Sequence, residues 1–193
     1  MKTKALAIEI PVSEDLKLRE VSINDAPAIF SLIDTNREFL RKWLPFVDYS
    51  KAVSDTEAFI KSVTAEANTT DLVFAVLYQG QHVGVIGFKS IDLANLKLEI
   101  GYWLAENKQH NGIITRSCAT LLRYAFEKMQ MNRVQIKVGV SNKRSSSIPK
   151  KLHFTFEGME RDGELLANGQ FHDLEVYSLL RREWERKADT AVL

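Results

Sequence analysis

Gly112 stands at the head of an apolar-periodic run and just behind a polar stretch, "ENKQHN", residues 106 to 111. Glycine there lets the backbone approach a ligand and take a left-handed turn that other residues resist. If the run is a helix, its first N–H groups lack partners within it, and the aligned peptide dipoles add partial positive charge. Asn111, Gly112, Ile113, Ile114 and Thr115 would then offer a phosphate their backbone donors, with no basic side chain needed. The same residues would equally serve as the plain start of a helix. A second polar cluster, "SNKRSSS" at 141 to 147, carries amide and hydroxyl groups at Asn142 and Ser145. Such groups either bind a peptide-like chain or cap the next helix. His172 and Asp173 form either a proton-handling pair or a structural hydrogen bond. His82 follows a hairpin turn and reads as exposed.

Cys118 is the only cysteine, which excludes an internal disulfide and a cysteine-cluster metal centre. It shares a helical face with Ile114, Leu121, Leu122 and Ala125 and reads as a small core residue.

These groups need elements to hold them. Alternation in "LKLREVS" (16 to 22) gives a first strand, and residues 23 to 44 then take helical spacing with Ser22 or Asn24 as cap and Pro27 in the first turn. Ser54 and Glu57, three apart, form a capping box that opens a second helix. Between the two helices, Phe46 and Tyr49 either line a pocket or pack on the core. Residues 71 to 92 hold two apolar strands around "QGQ", and 95 to 105 add a third, making an antiparallel meander. Ile114 to Met129 follow the three-four spacing of a one-faced helix, and "RVQIKVGV" (133 to 140) alternates strictly. A short helix from about Arg144 to Leu152 and strands near 153 to 158 and 172 to 182 complete the order.

The 193 residues, 45% of them hydrophobic, suit one α/β domain spanning 1–193, with an extended segment over about 1–13 and a frayed tail over about 187–193. Twenty-six basic and 25 acidic residues nearly cancel, so composition gives no reason to expect nucleic acid or a membrane surface as partner. No apolar run reaches the length of a membrane span and no signal peptide is visible, so the expected location is cytoplasmic.

The strand "LEIGYW", the glycine-headed helix, the alternating strand and the Asn-Ser cluster occur in that order. The arrangement resembles the GNAT acyltransferase superfamily, and more closely its RimL-type branch of ribosomal-protein N-terminal acetyltransferases. The superfamily's phosphate-loop pattern falls on Gln109, His110, Asn111, Gly112, Ile113 and Ile114. Here His110 and Asn111 replace the branch's frequent Gly-Lys, and Ile114 replaces a small residue. Downstream, Asn142, Ser145, Ile148, Lys150, Lys151 and His153-Phe154 are similar to the branch pattern, with His153 in place of glycine. Pro149 stands where many members carry a tyrosine acid, so the resemblance points to Ser145 as the hydroxyl near the coenzyme sulfur.

The closing segment, from "FEGMERDGELLANG" through "DLEVYSLLRREW", resembles the branch's own, in which a glutamate precedes an Asn-Gly turn and a His-Asp pair. That resemblance implies Glu164 as base, with Glu160 and Asp162 as alternatives, because the spacing back from Asn168-Gly169 is one residue too long.

The resemblance implies a GNAT fold: a mixed, mostly antiparallel sheet of seven strands with about four helices on both faces. It implies an N-acetyltransferase that moves acetyl from acetyl coenzyme A to an amine, with no metal and no covalent enzyme intermediate. Backbone N–H groups at Ile100, Gly101 and Tyr102 would hold the pantetheine chain and the thioester oxygen, and Asn142 would bind pantetheine amides. Lys108, Arg116 and Arg144 are options for the adenine and ribose phosphate. The acceptor implied is a protein N-terminus, with a small amine (polyamine, amino acid derivative or antibiotic) as rival and a non-catalytic coenzyme-binding module as a third reading. The branch also suggests a homodimer.

Overall fold

The computed structural model describes residues 7–190. Eight strands make one sheet in the order β1-β2-β3-β4-β5-β6-β8-β7. They are β1 (Glu9–Ser13), β2 (Leu16–Glu20), β3 (Leu72–Tyr78), β4 (Gln81–Asp92), β5 (Lys97–Leu104), β6 (Arg133–Gly139), β7 (Thr155–Leu165) and β8 (Phe171–Leu180). The α-helices are α1 (Ala26–Thr35), α2 (Arg37–Leu40), α3 (Val53–Val63), α4 (Ile113–Arg123), α5 (Lys143–Lys151) and α6 (Arg181–Thr190).

The expected count of seven strands and about four helices is corrected to eight and six. The extra strand comes from the segment expected to be merely extended, since Glu9 to Ser13 pair antiparallel with β2. The expected helix over 23 to 44 breaks into a 3-10 turn, α1 and α2, because Asn36 leaves helical geometry and its amide caps back to the Leu32 carbonyl at 2.8 Å. The expected Ser54-Glu57 box lies two residues late. Asp55 Oδ2 accepts from the N–H groups of Lys51 and Ala52 at 2.8 and 2.9 Å, so α3 starts at Val53. The tail is helical through Thr190: Glu183 caps α6 by accepting the Leu180 N–H at 3.0 Å, and Arg181 pairs with Glu185 one turn on. Residues 1–6 and 191–193 of the expected termini lie outside the described residues.

Alternation explains why the sheet is a central layer. On one face Phe74, Phe88, Leu98, Ile100, Val134 and Ile136 pack against Ile113, Cys118, Leu121, Leu122 and Phe126 from α4 and the π-turn that continues it. On the other, Ala75, Leu77 and Val85 pack against Ile29 and Ile33 of α1 and Ile60 of α3. Six consecutive residues of β4, Val83 to Phe88, are buried because both of its faces are covered.

Helix α4 crosses over between β5 and β6, which makes theirs the sheet's one parallel pairing. It is short: Lys97 to Glu99 pair with Arg133 to Gln135, and beyond them neither strand bonds the other. From Ile100 to Leu104 the β6 side of β5 therefore presents backbone groups with no strand partner, beside the helix termini of α4 and α5. Buried backbone groups of this kind call for a partner from outside the sheet.

Candidate active site

The polar stretch before α4 folds into a 3-10 turn at Glu106 to Lys108 and then a tight loop. Gly112 is the N-cap, left-handed at φ +66°, and no side chain caps the helix, so the first α4 N–H groups are uncovered. A Cβ on Gly112 would meet nothing within 4 Å and would project into open space. His110 shares the left-handed conformation at φ +67°, so this loop turns twice where glycine is most at ease. Gln109, His110, Gly112, Ile113, Ile114 and Thr115 all line a cleft of about 630 Å³. The side chains of Ile113 and Ile114 point into the core, which leaves their backbone as the part facing the cleft.

Across that cleft sits the start of α5. Asn142 is its N-cap: Oδ1 accepts the Ser145 N–H at 3.1 Å. The capping role expected as an alternative is present, and the amide nitrogen Nδ2 remains as a donor at the cleft wall. Ser145 Oγ lies 3.0 Å and the Ser145 carbonyl 3.2 Å from the Tyr102 hydroxyl, whose single hydrogen goes to one or the other. Burial pushes the Tyr102 phenol well above its usual pKa, so it stays protonated. Only the backbone of Tyr102 was expected at the site; its side chain is a functional group the sequence reading missed. The available signal was the alternation of β5, which turns Tyr102 to the same face as Ile100 and Leu98 and hence toward α4 and α5.

Of the three cations considered, Arg144 bridges the cleft: it donates to Gln109 Oε1 at 3.0 Å, and its guanidinium lies 5.9 Å from the Phe39 ring centre. Lys108 lines the wall. Arg116 turns away and binds Ser13 and Asp15 at 2.8 and 3.1 Å, because α4 packs on the β1-β2 hairpin. Cys118 is fully buried and burial pushes its thiol up, consistent with a packing role.

On the opposite face a second cavity, about 460 Å³, lies between α1, α3 and the sheet. It shares Leu44, Tyr102 and Trp103 with the first, so the two cavities adjoin at the end of β5. Glu164 lines it. A register shift in β7 between Glu160 and Glu164 places Glu164 opposite His172, whose Nε2 lies 3.1 Å from Glu164 Oε2. The His172-Asp173 pair is thereby corrected: Asp173 instead accepts the Asp162 N–H at 2.8 Å and His172 belongs to Glu164, because adjacent strand residues face opposite ways. The ring of His172 also packs on Gly139, where a Cβ would come 2.8 Å from its Cε1 and 3.4 Å from Trp43. Of the alternative bases, Glu160 pairs with Lys137 at 2.6 Å and Asp162 lines neither cavity. His82 is not exposed as expected; its Nε2 lies 2.8 Å from the buried carboxylate of Asp25, tying β4 to the start of α1.

Uncapped N–H groups behind a left-handed glycine fit a pyrophosphate, and the unpaired β5 edge with the Asn142 amide fits the amides of pantetheine. The family model described as an acetyltransferase (GNAT) domain matches residues 15–155. "Putative ribosomal N-acetyltransferase YdaF" of Bacillus subtilis is 40% identical over 176 residues, 90% of this chain and 96% of that protein. The ribosomal-protein-serine acetyltransferase of Escherichia coli is 29% identical over 88% of this chain and 94% of its own length. Among solved structures, the RimL ribosomal L7/L12 α-N-protein acetyltransferase in complex with coenzyme A superposes with a TM-score of 0.85 at 29% identity, covering 90% of this chain and 98% of that one. The microcin C7 self-immunity acetyltransferase MccE, in complex with acetyl coenzyme A and AMP, gives 0.84 at 30% identity, with 89% and 95% covered. The chain belongs to the GNAT acetyltransferase family and is an acyltransferase whose donor is acetyl coenzyme A.

Proposed function

We propose that the enzyme acetylates a protein N-terminal amine, of the ribosomal kind for which its relatives are named, by direct transfer in the cytoplasm. The observation that carries this reading is that two cavities adjoin at the end of β5, where both are lined by Tyr102 and Trp103 and β5 has no β6 partner. A thioester lying along one face and an amine entering from the other are brought together with no covalent relay, and such positioning removes much of the entropic barrier.

The donor supplies an acetyl group on a thiolate leaving group. As the nitrogen–carbon bond forms and the carbon–sulfur bond breaks, the amine proton passes to Glu164, whose Oε2 is held by His172. Negative charge developing on the acetyl oxygen meets N–H groups of the open β5 edge, around Ile100, Gly101 and Tyr102. When Tyr102 donates to Ser145 Oγ, the serine hydrogen is free to stabilise the departing thiolate. An N-terminal amine has a pKa near 8 and is already partly neutral at cell pH, so a modest base suffices.

A homodimer belongs to this proposal. Exposed apolar side chains on the β7-β8 hairpin at the sheet edge, Phe156, Met159, Leu165 and Phe171, support it. Sedimentation at several concentrations should show a concentration-dependent dimer; a monomer throughout would remove it.

Initial rates on ribosomal N-terminal peptides test the reading. Glu164→Gln and Ser145→Ala should each lower kcat, by about 100-fold for the glutamate, with the acetyl coenzyme A Kd unchanged. Parental rates in both variants would sink the assigned roles. A small-molecule amine is the second reading, favoured by the concave form of the second cavity. It gains if free amines react and peptides do not.

A further inference from the structure

The second cavity has features that a route for an amine does not require. Its floor is the sheet at Gly101, where a Cβ would touch only the Lys89 stem at 3.5 Å and no backbone. Gly101 has an ordinary negative φ, so neither strain nor crowding calls for glycine there. The missing side chain instead leaves a hollow between Lys89 and Trp103. Above it stand Phe46, Tyr49 and Phe59, three large side chains that are exposed, the tyrosine at 71%, and stack on no other ring among the described residues. Leaving three such groups in water beside a hollow is unfavourable unless something covers them.

The polar groups of the cavity also point to a ligand. Asp55, Asp71 and Glu164 line it against one cation, Lys89, which is itself paired to buried Glu99 at 2.8 Å. Asp55 is engaged in capping α3 and Glu164 is held by His172, but their charge remains, so the excess of carboxylates favours a cationic visitor. Ser50 and Thr56, 7% and 3% exposed, are among its lining residues, and their hydroxyls are buried beneath the wall without a hydrogen-bond partner.

We propose, resting on the protein N-terminus reading above, that this cavity selects acceptors by a bulky apolar side chain in the first two residues. That side chain lies on Gly101 beneath Phe46 and Phe59, and the ammonium is drawn by the carboxylates toward Glu164. A polyamine lacks the apolar group, and a peptide opening on two small or acidic residues fills nothing.

The test uses the full chain with saturating acetyl coenzyme A and two matched peptide sets, one with Phe or Leu at position one or two and one with Gly, Ser or Asp there. The apolar set should show kcat/KM at least about tenfold higher, the scale of burying one large side chain. Phe59→Ala and Gly101→Val should each shrink that ratio severalfold through peptide KM, with acetyl coenzyme A affinity unchanged in Phe59→Ala. Equal kcat/KM across the sets, or ratios untouched by Phe59→Ala, would overturn the selection while leaving N-terminal acetylation standing. Transfer only to free amines such as spermidine or an amino acid amide would overturn both.

Discussion

Three left-handed residues carry different burdens at this site. At Gly112 the conformation opens the α4 N-terminus, and any Cβ would both strain φ +66° and enter the cleft. Gly112→Val should weaken acetyl coenzyme A binding by more than about tenfold, alongside a stability loss of about 1–2 kcal/mol; calorimetric titration with an unchanged Kd would refute the cradle. His153 sits just past the α5 C-cap at φ +62°, where helices prefer glycine. His153→Gly should therefore raise stability by up to about 1 kcal/mol in denaturant melts, with kinetics unaltered. The glycine expected from the resemblance thus has a backbone reason, and His153 a backbone cost. His110 poses the same problem in the phosphate loop, two residues before the left-handed Gly112. At Glu164 the prediction is chemical. The rate deficit of Glu164→Gln should shrink as pH rises through the amine pKa near 8, since an amine already neutral no longer needs its ammonium proton removed before attack. A deficit constant from pH 7 to about 10 would assign the carboxylate to binding instead.

Elements hold these residues through a few tethers. Gly139 ends β6 with room for the His172 ring, so Gly139→Ala pushes against the ring that holds Glu164. It should lower kcat several-fold with little change in acetyl coenzyme A affinity; a change confined to coenzyme affinity would argue that β6 serves only the donor side. Near the sheet's far edge Arg133 grips Glu157 through two contacts of 2.6 Å, and Ser178 donates to the same carboxylate at 2.7 Å. The Arg133 bond foremost holds Glu157 at a pKa of about 2 against an ordinary 4.5, despite some burial. The folded value is the lower one, so this contribution is complete above 4.5 and is lost as pH falls toward 2. Glu157→Gln should flatten the acid limb of the stability curve in that window. An unchanged limb in urea melts at several pH values would show that solvent screens the pair, as its partial exposure allows. At the other end burial opposes ionisation of Asp25, but the Ser22 N–H, His82 and Arg19 outweigh it and lower its pKa, so this tether too weakens only in acid.

At the scale of the whole molecule, the sheet separates two cores, and the two cavities adjoin at the end of β5 through Leu44, Tyr102 and Trp103. The donor cleft is walled by residues 102 to 115 and 141 to 151 together with the α2 region, so a bound coenzyme ties three chain segments to one another. Coenzyme A at 100 times its Kd should stabilise the fold by about 2.7 kcal/mol, read as a rise in Tm; no rise at millimolar ligand would contradict binding in this cleft. Much of this plan is local in origin and so was legible from sequence. Alternation marked β5 and β6, three-four spacing marked α4, and Gly112 marked its mouth, since each depends on neighbours a few residues away. The positions of Asn142 and Ser145 at a helix start are local too, which is why both the capping and the binding reading could be seen in advance. What depends on distant chain could not be read there. That Tyr102 reaches Ser145 across 43 positions, that His172 faces Glu164 and not Asp173, and that Arg116 turns to Asp15 all follow from strand register and helix docking. So does the second cavity, whose walls come from α1, α3, four strands and the turn at Phe46. Side-chain pairing across a sheet flips with a single-residue change of register, and local pattern does not specify that register; burial of the two faces does.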